Sequence, residues 1–80
     1  MTLKYLKDAV DNVNDFYFTY DGARAGVELS IKNRVRTFHL WWKGVDKTYS
    51  EWNDVIHDPV FNGKSIATLI AGKEIEIEFS

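Results

Sequence analysis

Residues 34–43 read Arg34-Val35-Arg36-Thr37-Phe38-His39-Leu40-Trp41-Trp42-Lys43, the densest run of β-formers and aromatics in the chain. Alternation sends Phe38, Leu40 and Trp42 to one face and Val35, Thr37, His39 and Trp41 to the other. The segment is therefore expected to be a central strand with a tryptophan on each face. One core readily absorbs one ring, so the second is the best sign of a binding surface that the sequence offers. A bulge near Lys43 and Gly44 would exchange the roles of the two tryptophans.

On the N-terminal side, Val27, Leu29 and Ile31 alternate with Glu28, Ser30 and Lys32, as in an antiparallel strand with one wet face. Lys32-Asn33-Arg34 supplies the reversal into the tryptophan strand. Before it, Phe16, Phe18 and Tyr20 alternate with Tyr17 and Thr19, predicting a first strand with an aromatic inner face. The intervening Asp21 to Gly26 reads as a long, loose hairpin connection with Arg24 at its tip. These segments form a meander over residues 16–42. Its opposite face holds Tyr17, Thr19, Ser30, Thr37, His39 and Trp41. At the start of the chain, Thr2 can cap a helix whose stripe is Leu3, Leu6, Val10 and Val13, with Asn12 to Asp15 as a polar exit.

On the C-terminal side the pattern changes after Gly44. Thr48-Tyr49-Ser50-Glu51 matches a capping box, predicting a helix from about Tyr49 to His57 that Asp58-Pro59 closes. Val60 and Phe61 are expected to plug the core edge, and Asn62-Gly63 to reverse the chain. Ser65 can cap a further helix carrying Ile66, Leu69 and Ile70, with Gly72 as its stop. Glu74-Ile75-Glu76-Ile77-Glu78-Phe79 alternates strictly and predicts a half-buried final strand. Beside the basic third strand its glutamates would find complementary charge. The expected fold is thus α+β, in the order α-β-β-β-α-α-β, with helices on one face of a four-stranded, mostly antiparallel sheet.

Composition sets the frame for function. Eighty residues, 45% hydrophobic and 28% charged, are expected to make one small domain over residues 1–80. Size alone points to a bacterial or phage setting. The chain contains no cysteine, which removes disulfides, thiolate metal sites and thiol nucleophiles. The first residues do not resemble a signal peptide and no apolar run is long enough for a membrane helix, so a cytoplasmic location away from membranes is expected. Net charge is −2, yet residues 24–47 carry Arg24, Lys32, Arg34, Arg36, Lys43 and Lys47 against only Glu28 and Asp46. Acidic flanks that fold back on this basic middle are the ordinary account of the imbalance, and a pI of about 5.6 argues against the sharper reading, a nucleic-acid footprint.

Motif by motif, enzyme chemistry fails its spacing tests. Gly63-Lys64-Ser65 lacks the glycine and leading strand of a phosphate loop, and a turn followed by a helix cap explains it. Asp11 to Asp15 has Val13 at a ligand position of a calcium loop and Phe16 where glycine belongs. Asp54, His57 and Asp58 share a helix face, but a histidine in a last turn suits the helix dipole. Ser50 has no base ordered against it. The glutamates at 74, 76 and 78 fit the solvated face of an edge strand. No catalytic residue, metal ligand, cofactor or small-molecule partner is expected.

What stands is a sheet-face patch of Tyr17, Thr37, His39 and Trp41, with Arg24, Arg34, Arg36 and Lys43 as a basic rim. The expectation is a non-enzymatic module that binds a protein or a second copy of itself through this face. The alternative is single-stranded nucleic acid stacked on Tyr17 and Trp41. The plainest reading is that Trp41 merely covers the end of the sheet.

Overall fold

A computed structural model of the chain describes residues 1–12 and 14–80; Val13, predicted to extend the first helical stripe, lies outside the described residues. The fold is α+β: three helices cover one face of an open, five-stranded antiparallel sheet in the order β4-β3-β2-β1-β5. The strands are β1 (Phe16–Tyr20), β2 (Ala23–Lys32), β3 (Val35–Trp42), β4 (Val45–Tyr49) and β5 (Glu78–Phe79). The helices are α1 (Leu3–Asp11), α2 (Trp52–His57) and α3 (Ile66–Ala71).

Two-residue turns join β1 through β4. Asp21 and Gly22 have φ of 51° and 75°, Asn33 and Arg34 53° and 65°, and Lys43 and Gly44 41° and 82°. Positive φ at both central residues is the turn whose twist matches that of the strands it joins. The first turn corrects the long loop expected over Asp21 to Gly26. Ala23 to Gly26 belong to β2, with Arg24 opposite Thr19 rather than at a tip. The small residues Ala23, Ala25 and Gly26 hid the strand in the sequence. They are small because Ala25 faces Phe18 and Trp42, and Gly26 faces Tyr17 and Trp41, on the neighbouring strands.

The third turn corrects the capping box. Val45–Tyr49 pairs with β3, placing Thr48 opposite His39, and α2 begins only at Trp52, with Glu51 as an N-cap whose side chain makes no capping bond. With that edge of β3 filled, β5 pairs with β1 instead, through Phe16–Phe79 and Tyr17–Glu78 alone. Glu74 and Glu78 find cations at Lys64 and Arg24, each through one ion pair.

Two caps are as expected: Thr2 accepts from the Tyr5 N–H and Ser65 from the Thr68 N–H. α3 ends differently. Gly72 is its C-cap but has φ of −83°; the left-handed residue is Lys73, at 56°. Lys73 and Glu74 donate backbone N–H groups to the Ile70 and Leu69 carbonyls, closing a Schellman motif without the usual glycine.

The core follows the sequence pattern: Phe16, Phe18, Val27, Phe38, Leu40 and Trp42 from the sheet meet Leu6, Val10, Val55, Ile56, Ile66, Leu69 and Ile70 from the helices. Phe61 plugs the edge. Fully buried, it stands 5.1 Å from Trp42, 5.4 Å from Phe18 and 6.0 Å from Tyr20, ring centre to ring centre. The bridge between Phe61 and Lys64, closed by the left-handed Asn62 and Gly63, holds it there. Ile31, expected inside, lies on the helix side but is 50% exposed. The helices end short of it, and its cross-strand neighbour Arg36 instead reaches Asp11 on α1 at 2.9 Å.

Candidate functional site on the open sheet face

Among the described residues no helix covers the second face of the sheet. Pairing places Glu78, Tyr17, Gly26, Trp41 and Asp46 in one row across all five strands. Glu28, His39 and Thr48 form the next row, and Ser30 with Thr37 the one after. Alternation alone puts these side chains on the face away from the helices.

The middle row is organised by its glycine. Tyr17 and Trp41, one on each side of Gly26, lean over it with ring centres 6.3 Å apart and planes at 46°. A β-carbon on Gly26 would stand 2.6 Å from Trp41 Cζ2 and 2.8 Å from Tyr17 Cδ1, closer than such atoms approach. Gly26 is buried and both rings are half-buried. The pair therefore makes a low aromatic pad rather than two projecting side chains. Covering a strand glycine with neighbouring aromatics also stabilises the sheet, which explains part of the burial of Trp41.

Carboxylates border the pad. His39 lies between Asp46, which hydrogen-bonds Nε2, and Glu28, whose oxygen is 3.6 Å from Nδ1. The hydrogen bond from Asp46 raises the His39 pKa above the ordinary histidine value against the opposing effect of desolvation, and Glu28 adds to the rise. At the other border Arg24 spans Thr19 Oγ1 at 3.1 Å and Glu78 at 2.6 Å.

Tyr17, Thr37, His39 and Trp41 thus share the open face. The predicted basic rim does not assemble around them. Arg24 is on the face but paired with Glu78. Arg36 is on the helix side with Asp11, and Lys43 bonds Asp21 at 2.9 Å while its ammonium lies 5.1 Å from the centre of the Trp42 ring. Arg34 sits exposed in the β2–β3 turn. Sequence reasoning overlooked Gly26, Asp46 and Glu28 as parts of this surface. The signal was the Ala-Gly-Val run opposite aromatics, which a period-two reading discounts because glycine carries no side chain.

The other candidate groups are engaged locally. The His57 ring nitrogen Nδ1 bonds the Asn53 carbonyl at 2.9 Å. Asp58 accepts from Lys47 and, at 2.8 Å, from the Tyr49 hydroxyl; these two hydrogen bonds hold its carboxyl below the usual range. Burial, with the Asp58 hydrogen bond, pushes the Tyr49 phenol far up. Lys64 bonds Glu74, and Asp15 accepts the Leu29 N–H. Among the described residues no group of three His, Cys, Asp or Glu side chains is arranged to hold a metal, and no helix is long and apolar enough to cross a membrane. The chain matches no protein-family model, no curated protein and no solved structure.

Proposed function

We propose that this protein is a non-enzymatic interaction module whose open sheet face docks a protein partner. The observation that carries the reading is the low Tyr17–Gly26–Trp41 pad, bordered by Glu28, Asp46 and Glu78, on a face that no described helix covers. Flat aromatic surface ringed by polar groups buries apolar area on contact while its rim sets orientation.

Single-stranded nucleic acid is the weaker reading. Arg24, Arg36 and Lys43 each already hold a carboxylate, and Glu28, Asp46 and Glu78 border the pad. A phosphate chain would have to displace those partners and pass the glutamates.

A photo-crosslinking amino acid placed at Thr37, on the open face, and at Asp54, on α2, tests the proposal in the cells that make the protein. Discrete crosslinked protein from position 37 and little from position 54 is the expected result. Equal or absent crosslinking from the two positions would overturn it.

A further inference from the structure

Arg34, which does not join the pad, lies with Lys32 at the far end of the β2–β3 hairpin. β1 pairs with β2 only as far as Val27, and β4 pairs with β3 only from Phe38 onward. Beyond those points β2 and β3 pair with no other described strand, only with each other through Ser30–Thr37, Ile31–Arg36 and Lys32–Val35, while Arg36 on the helix side holds Asp11 of α1. The β2–β3 hairpin therefore projects past both neighbours as a two-stranded arm. At its tip Val35, on the open face, is 59% exposed, and Ile31, on the helix side, 50% exposed. Lys32 and Arg34 are exposed there too, and neither forms an ion pair among the described residues.

One face of one chain thus carries a cationic, apolar tip and, two rows from its small Ser30–Thr37 pair, a carboxylate-bordered aromatic pad. Resting on the reading of the open face as an interface, we propose that its occupant is a second copy of this chain, docked face to face about a two-fold axis through Ser30–Thr37.

The symmetry follows from the register. Lys32 and Glu28 are each two residues from Ser30 on β2, in opposite directions, and both belong to the open face. Rotation about the Ser30–Thr37 row lays Lys32 of each copy over Glu28 of the other. Val35 and His39 are related in the same way about Thr37, so the exposed valine covers the imidazole. Arg34, in the turn beyond, reaches the row of Trp41 and Asp46, where a guanidinium can stack on the indole and meet a carboxylate. Ser30 and Thr37 at the axis are small enough to let two sheets approach to the ~10 Å of face-to-face packing. Each copy offers both halves of the contact, as a closed two-fold dimer requires.

The contact is confined to one arm and one pad from each copy and is held largely by exposed charge, so association is weak and depends on salt. Sedimentation at low salt should show a monomer–dimer equilibrium between about 10 μM and 1 mM, weakened at least tenfold at high salt. Lys32→Glu and Glu28→Lys should each weaken it tenfold or more by opposing like charges. Mixing the two variants, or combining them in one chain, should restore it. Arg34→Glu, at the exposed turn, gives the same weakening at a site remote from the core. A wild-type chain monomeric throughout, or a combined variant no better than the single ones, overturns this dimer. Crosslinks from position 37 to a protein of another mass would then leave the open-face reading standing, whereas no crosslinks there would remove both.

Discussion

Trp41 lies across Gly26 so closely that a single added β-carbon would meet its ring at 2.6 Å. A glycine in a strand interior ordinarily weakens the strand by roughly 0.5–1 kcal/mol relative to alanine. Here the sign should reverse. Gly26→Ala is expected to destabilise the protein by about 1–3 kcal/mol, the usual range for overpacking, and to lift the indole into solvent with a red-shifted tryptophan emission. In a Trp41→Ala background the same substitution should cost far less, and urea denaturation of the four proteins measures that coupling.

The two adjacent tryptophans should differ in energetic weight. Trp42 is 4% exposed, packs 5.1 Å from Phe61 and donates its indole N–H to the Tyr20 carbonyl at 3.1 Å. Trp42→Ala should cost about 3–5 kcal/mol, and Trp41→Ala less than half as much. Equal losses in chemical denaturation would mean that Trp41 is core and that the open face has no separate pad.

His39 makes stability depend on pH in a definite direction. Its pKa is raised in the folded protein, chiefly by the Asp46 hydrogen bond. A histidine of that kind contributes fully below its unfolded value, near 6.5, and the contribution is lost as pH rises through the folded value. Denaturation midpoints should therefore fall as pH rises above about 6.5 in the wild type and stay flatter in His39→Gln. A histidine ring titrating at or below 6.5 by NMR would contradict the Asp46 contact.

Lys73 occupies the left-handed position that ends α3, with φ of 56°. A non-glycine residue pays roughly 1 kcal/mol there. Lys73→Gly should raise stability by about that amount, read as a higher thermal midpoint. Gly72→Ala is not the equivalent change: Gly72 has a φ of −83°, and a β-carbon there would meet Glu74 Oε2 at 3.0 Å, so any gain requires that side chain to yield.

Elements with strong local signals were legible in advance. Thr2 and Ser65 cap helices because a hydroxyl before an apolar stripe satisfies orphan N–H groups, and Phe61 is buried because an aromatic beside a tight turn has no better place. The elements that were misread depend on distant partners. Thr48–Glu51 carries a capping-box pattern that competes with the strand pairing of Val45–Tyr49, and the open edge of β3 decides between them. Glu74–Phe79 alternates along its length, yet only its last two residues reach β1.

By itself, the run from Arg34 to Lys43 determined that one tryptophan is core and its neighbour is not, because a period of two follows from the geometry of the strand. It determined the α+β class for the same reason, through the periods of the flanking segments. Only the tertiary structure decided what the outer tryptophan rests on. Gly26 is adjacent to Trp41 through cross-strand pairing, a contact set by register between segments apart in sequence. The fate of the basic residues was decided there too. Their count is in the sequence, but whether each faces a carboxylate or projects on an arm depends on which strands end first.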